Sequence, residues 1–569
     1  MKGPVAPKDP TRKRPKIYFM LEDLLYASHK APEGDRYAEM IFLENRVAQN
    51  LQLICPELPD ELGARLQKSN DFREIVHSIG IIAESVDAED RDAEITCELH
   101  HYATADCDRF KDGTRMSMEV CCDGAERVFE LTEFENKGHD DILGTFFLFS
   151  EKENLRVKLT VIFYLQDGYD APEPQLDDPI DYESDTYREM ISHSLVSMGN
   201  THRLRAAMEK AERGEDVTLA FIGGSITQGA GAKPIETESY CYRVFDHFRK
   251  TYATEPDKVH LVKAGVGGTP SEFGLVRYER DVLKNNTVQP DIVFIEFSVN
   301  DAGDETEGVC FESLVSKAYN QPGMPAVLLV FAVFMNDWNL QDRLAPIGLH
   351  YSLPMVSVKD AVSPQWAKGE GHVISKRQYF YDCYHPTNDG HRVMADCINH
   401  LLEQSLAHVE VEPKWPKDSY LGRPYENCFT VTRDTLTKFA DDIEVEAGSF
   451  TETDKALQYA EMDYDAFGTP QFPENWMHAS GDEPFVIRVN CSSFFLTYKD
   501  SGDGDFGTAV VEVDGKPYKE IDPRAIGWNH CNTYLLVNNE ENGDHEIKIS
   551  MKSDNNDKKF TILALTLTK

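Results

Sequence analysis

The spacing of apolar and polar positions changes character twice along the chain. Up to about residue 170 the apolar residues fall in short runs, RMSMEVCC, RVFELTEF, TFFLFS and VKLTVIFYL. Their alternation and their β-branched and aromatic content predict strands packed as a sandwich. The amphipathic stretch LENRVAQNLQLI and the more polar ELGARLQKSNDFREIV predict some helix ahead of them. An acidic, proline-rich segment, DGYDAPEPQLDDPIDY, then reads as a linker. Beyond it, helical patterns in TYREMISHSLVSM and HRLRAAMEKAERG lead into an alternation of continuous apolar runs and amphipathic segments. The runs are VTLAFI, KVHLVKAG, DIVFIEFSV, AVLLVFAVF and PMVSV, and a last helix is predicted from Asn388 through GHRVMADCINHLLEQ. Unbroken apolar strands alternating with helices imply a parallel sheet covered on both faces. A second linker spans about 406 to 425. After it FVIRVN, SSFFLTYK, TAVVEVDGKPYKEI, TYLLVNN, HEIKISM and FTILALTLT return to short strands, with VDGK as a hairpin turn.

The predicted organisation is therefore a β-rich accessory domain with some helix over 1–175, an α/β domain over 176–408 and a β-sandwich over 425–569. A chain of 569 residues exceeds what one core supports, so several domains are expected from size alone.

Charge removes some classes of partner. The formal net charge is −40, which repels phosphate backbones and anionic lipid, so neither nucleic acid nor a membrane surface is expected. The chain has no uncharged run of about 18 residues that would span a bilayer. Its start is basic and proline-rich, and the apolar run IYFMLEDLLYA is interrupted by Glu22 and Asp23, a poor core for a secretory signal. A cytoplasmic location is the expectation. The 12 cysteines contain no CxxC pair, so free thiols are expected and no metal site, with Cys121 and Cys122 on opposite faces of a strand.

In open parallel sheets reactive groups collect beyond the carboxyl ends of strands. Here those ends carry Ser225 after VTLAFIGG, Gly267 and Gly268 after KVHLVKAGV, Asn300 and Asp301 after DIVFIEFSV, and Asp382 and His385 in YDCYHP before the last helix. The set suits acyl transfer. His385 would take the proton of the Ser225 hydroxyl, and Asp382 would hold the imidazole. The backbone N–H groups of Ser225 and Gly268 and the Asn300 amide would meet the oxyanion. Taken alone, FIGGSITQGAGA also admits a plain turn serine or a phosphate-binding loop. It lacks the GK[ST] ending of the latter, the GxGxxG of a dinucleotide site and the GxSxG of a nucleophile elbow. Asp301 and Thr227 are expected to hold loop backbone, and His391 and His400 to be structural or exposed.

GGSIT at 223–227, AGVGGT at 264–269, SVND at 298–301 and DCYHP at 382–386 resemble, in order and spacing, the signature blocks of the SGNH (GDSL) hydrolases. The resemblance covers roughly 216 to 405. It implies a three-layer α/β/α sandwich of flavodoxin-like type, with Ser225 as nucleophile, Gly268 and Asn300 as oxyanion donors, His385 as base and Asp382 as its partner. It implies no cofactor or metal. Gly224 stands where the family usually has Asp, and Lys263 where Asn often precedes the second block.

The C-terminal region resembles the jelly-roll domains joined to SGNH domains in bacterial carbohydrate esterases. The leading expectation is thus removal of O-acetyl groups from oligosaccharides of acetylated plant polysaccharides such as xylan or mannan. Trp338, on a loop at the reactive end of the sheet, is the candidate substrate platform. Trp366, Trp476 and Trp528 are ranked lower, since a Trp in a β domain usually fills core. The alternative enzyme reading is a lipid or thioester acylhydrolase. The non-enzyme alternative is a sugar-binding protein with a degenerate hydrolase core, against which the complete Ser, Gly, Asn, Asp and His set speaks. The β-rich regions would also serve as surfaces for homo-oligomers.

Overall fold

The structure is a computed structural model and describes residues 14–27, 29–30, 36–37, 39–104, 106–152, 155–368, 371–408, 410–412, 414–460 and 468–569. Most of the basic, proline-rich start lies outside these residues. The centre of the molecule is a six-stranded sheet in the spatial order 195–197, 355–357, 326–331, 292–296, 217–223, 259–265. Counted from Val217 the parallel strands run 2-1-3-4-5, the flavodoxin-like order, with its switch point beside Val217–Gly223. Successive side chains of that strand enter opposite layers. Leu219 and Phe221 join one buried core, and Ala220 and Ile222 the other. This two-sided burial is why VTLAFI reads as an unbroken apolar run.

The segment TYREMISHSLVSM differs from its helical reading. The helix stops at Ser192, and Leu195–Ser197 forms an antiparallel strand on Met355–Ser357. The short strand covers what would otherwise be an open sheet edge.

The N-terminal part is a sandwich of two four-stranded antiparallel sheets sharing one core. One sheet has the order 16–26, 156–165, 76–85, 123–130, and the other 39–42, 140–149, 94–103, 115–121. IYFMLEDLLY, unassigned from its pattern, is the edge strand Lys16–Tyr26, and its pairing shifts register at Tyr18/Met20 and at Glu22/Leu25. ELGARLQKSNDFREIV is two helices, Asp60–Gln67 and Ser69–Ile75, broken at Lys68, whose ψ of 128° is extended. Cys122 is buried and Cys121 only partly so, and all 12 cysteines are free thiols.

The C-terminal part is built on a branched eight-stranded sheet, with Tyr459–Ala460 and Thr469–Pro470 paired as a separate two-stranded ladder. FVIRVN and SSFFLTYK are a single strand, Phe485–Asp500, and TYLLVNN and HEIKISM belong to one strand, His530–Met551. The two pair antiparallel along their length and absorb register shifts near Cys491 and Phe494. The DG turn is as expected, with Asp514 and Gly515 both left-handed (φ 52° and 71°). Among the described residues no helix is long and apolar enough to cross a membrane.

Candidate active site

At the end of Val217–Gly223 the chain enters a one-turn helix, Ser225–Gln228. Gly224 is its cap, and Gly229, left-handed at φ 103°, ends it. At its first helical residue the Ser225 N–H has no partner within the helix. Gly224 is explained by what lies against it. A Cβ there would sit 2.2 Å from Asn300 Oδ1 and 2.9 Å from its Nδ2, so only glycine lets the Asn300 amide lie beside Ser225. Thr227 holds side chains rather than the backbone it was expected to bond. Its hydroxyl meets the Tyr240 hydroxyl at 2.8 Å and Glu296 at 3.2 Å. Burial pushes the Glu296 carboxyl up to about 8.

The fourth block closes on this turn. His385 Nε2 lies 2.9 Å from Ser225 Oγ, and His385 Nδ1 lies 2.8 Å from Asp382 Oδ2. The other Asp382 oxygen accepts the backbone N–H groups of Tyr384 and His385, both at 2.8 Å. Burial opposes the charge on Asp382, but His385 and these backbone donors outweigh it and hold the carboxyl below its ordinary value. An ionised Asp382 accepts a hydrogen from Nδ1, which leaves Nε2 free to accept the Ser225 proton.

The second and third blocks supply the opposite wall. Gly268 is left-handed at φ 72°, and a Cβ on it would lie 3.1 Å from two ring carbons of Trp528. Asp301 is buried and accepts the Ser271 N–H (2.7 Å) and hydroxyl (2.9 Å), which fixes the Asn300 loop to the helix that follows Gly268. Beneath the turn, the fully buried Arg277 donates to the carbonyls of Ala264 (2.7 Å) and Gly223 (2.9 Å), tying two strand ends together. His391 is buried and neutral. Its Nδ1 accepts the Tyr240 N–H, its Nε2 donates to the Ala230 carbonyl, and burial lowers it to about 3. His400, also on the last helix, is lowered by burial too.

The aromatic groups fall differently from the sequence ranking. Trp338 is half-buried and stacks on Phe334 (5.8 Å between centroids), which meets Tyr384 (4.5 Å), the neighbour of His385. It therefore reaches the triad through two intervening rings. Trp476 is core as expected, at 2% exposure, but Trp528 is 38% exposed and lies on Gly268. No local pattern in GWNHCNTY marks this. The signal was only its polar surroundings, which do not suit a core tryptophan.

Glu272, Asp304 and Cys310 gather in a buried cluster with donor atoms within 4.8 Å of one another. Asp304 is already occupied by the Thr306 N–H and hydroxyl and the Gly308 N–H. Burial, with the nearby carboxylates, holds Glu272 well above the ordinary range and so uncharged. Asp304 thus caps a turn beside a neutral carboxyl.

Residues 221–393 match the model of the GDSL-like lipase/acylhydrolase family. Among solved structures, a two-domain esterase active on acetylated mannans is 27% identical, with a TM-score of 0.56, over 67% of this chain and 98% of that one, in its form co-crystallised with mannopentaose. Its other crystal structure gives the same identity and TM-score over 99% of that chain. No curated protein sequence matches significantly. Residues 221–393 thus form a domain of the GDSL-like lipase/acylhydrolase type, and the protein is a carboxylic ester hydrolase.

Proposed function

We propose that the protein is a serine esterase that removes O-acetyl groups from carbohydrates. The observation that carries the reading is the run Ser225 Oγ, His385 Nε2, His385 Nδ1, Asp382 Oδ2, with spacings of 2.9 and 2.8 Å at its two hydrogen bonds. In the proposed reaction Ser225 Oγ bonds to the acetyl carbonyl carbon as His385 Nε2 takes its proton. Asp382 stabilises the resulting imidazolium. The carbonyl oxygen becomes an oxyanion and meets the N–H groups of Ser225 and Gly268 and the Asn300 amide. His385 returns the proton to the sugar oxygen, which leaves. A water, deprotonated by the same nitrogen, then attacks the acetyl-enzyme and releases acetate.

Two observations support a sugar ester. The similar esterase acts on acetylated mannans. The half-exposed Trp528 beside Gly268 presents a face on which a pyranose can stack. The test is acetate release from acetylated manno- and xylo-oligosaccharides, alongside 4-nitrophenyl esters of increasing chain length. Acetyl esters are expected to be preferred, and Ser225→Ala to lower kcat by about a thousandfold or more. A clear preference for octanoyl or longer esters would make the protein a lipid or thioester acylhydrolase instead. Full activity in Ser225→Ala would remove the mechanism.

A further inference from the structure

The loop that carries Gly268 is held from outside its own domain. Gly267 C=O and Gly268 N–H belong to one planar peptide unit. Gln458, in the C-terminal part, donates from Nε2 to that carbonyl at 2.7 Å. Its Oε1 accepts the Cys531 N–H at 2.9 Å, so the two ends of the amide cannot be exchanged. The next carbonyl, that of Gly268, lies 3.1 Å from His530 Nε2. His530 Nδ1 in turn lies 3.0 Å from Asp500 Oδ2. His530 and Asp500 are 5% and 1% exposed. A carbonyl oxygen only accepts, so Nε2 carries a hydrogen. A second hydrogen lies between Nδ1 and Asp500, on one atom or the other, and neither placement removes the one on Nε2. Trp528 closes the grip by packing on Gly268, where a Cβ would stand 3.1 Å from its ring. A reverse contact runs from Gln228, one turn after Ser225, whose Nε2 donates to the Tyr459 carbonyl at 3.2 Å.

We propose that Gln458 and the Asp500–His530 pair are positioning residues for catalysis: Gln458 fixes the peptide whose N–H faces the developing oxyanion, and His530 fixes the next peptide, through the Gly268 carbonyl. This rests on the reading of Gly268 as an oxyanion donor. A donor on the carbonyl side of an amide also polarises it and strengthens its N–H as a donor. The C-terminal part thereby completes the catalytic centre without placing one of these three groups on the reacting atoms.

The experiment uses the full chain and 4-nitrophenyl acetate. It measures kcat and KM for Gln458→Leu, Gln458→Glu, His530→Leu and His530→Gln. It also measures the second-order rate of inactivation by a small alkyl fluorophosphonate, whose attack by Ser225 needs the same oxyanion donors. Gln458→Leu and His530→Leu are expected to lower kcat by about tenfold or more with KM changed less than about threefold. The fluorophosphonate rate should fall in step. His530→Gln, which keeps a donor near the Nε2 position, should restore most of kcat. Gln458→Glu, which keeps the acceptor for Cys531 but sets a carboxylate against the Gly267 carbonyl, should be as poor as Gln458→Leu while retaining the wild-type melting profile. Unchanged kcat in Gln458→Leu and His530→Leu overturns the proposal. So does a loss that follows the folded fraction equally in all four variants. Ser225→Ala and Asn300→Ala run in parallel. If those two keep wild-type activity, the active-site reading itself fails. If they are inactive while the Gln458 and His530 variants are not, only the positioning role fails.

Discussion

A methyl group on Gly224 would lie 2.2 Å from Asn300 Oδ1 and 2.9 Å from its Nδ2. Gly224→Ala should therefore displace the Asn300 amide and lower kcat by about a hundredfold, the scale of losing one oxyanion donor. Its circular dichroism should stay that of the wild type. Gly224→Asp, which restores the more usual residue, should be no better in this chain, because the Asn300 side-chain amide occupies the space. Asp382 makes a second case. Its carboxyl titrates lower in the folded chain than in the unfolded one. Its contribution to stability is thus full above the unfolded value of about 4 and is lost as the pH falls through the folded value. The difference in melting temperature between the wild type and Asp382→Asn should shrink between about pH 5 and about pH 3.

At the scale of elements, Arg277 shows how the strand ends are kept in register. Its guanidinium, fully buried, serves two carbonyls and pairs with Asp281 at 3.2 Å. Arg277→Met takes a donor from both carbonyls and one partner from Asp281, which keeps Arg280 at 3.5 Å and Gln471 at 3.1 Å, and should cost about 1–3 kcal/mol of unfolding free energy in urea titration. Arg277 sits mid-helix in SEFGLVRYERD with nothing in its spacing to mark it, because its role depends on two strand ends that only the folded sheet brings together. The strands were legible for the converse reason. VTLAFI and DIVFIEFSV are buried on both faces, and that burial writes itself into a continuous apolar run. Ser225, His385 and Asp382 were legible because strand ends and one helix start carry them. Gln458, Asp500, His530 and Trp528 were not, since each acts on a loop of another domain. Lys16–Tyr26 was hidden by Glu22 and Asp23, and the long strand His530–Met551 by the polar stretch NNEENGDHE at its middle.

At the scale of the whole molecule, the N-terminal sandwich meets the α/β domain around a cavity of about 280 Å³ directly behind the His385 loop. Glu22 and Asp23 line it from the sandwich, and Lys233, Arg377 and Tyr381 from the other side. Lys233 is buried, pairs with Glu39 at 3.0 Å and lies 3.9 Å from the Tyr381 ring centre. Burial pushes the Glu22 carboxyl up to about 7 against the pull of Lys233 and Arg377, with Glu39 and Asp23 adding to the rise. A carboxyl raised in this way stabilises the fold below its unfolded value and loses that contribution as the pH climbs through about 7. Glu22→Gln should consequently melt above the wild type at about pH 8 and close to it at about pH 4. The loop after Tyr102 also crosses to the far end of the chain. Phe110 occupies the space where a side chain on Gly527 would stand, and Asp108 comes within 3.2 Å of a Cβ on Gly504.

The grip on Gly268 has a consequence for the order in which the enzyme comes into being. Ser225, Asn300, Asp382 and His385 have all left the ribosome before Gln458, Asp500 and His530 are made. A chain stopped after its last catalytic-domain helix would hold nucleophile, base and acid while the Gly267–Gly268 peptide still lacked the groups that orient it. On this reading the full catalytic rate arrives late in synthesis, with the C-terminal strand His530–Met551, and a partly made chain is slowed by what it has not yet been given.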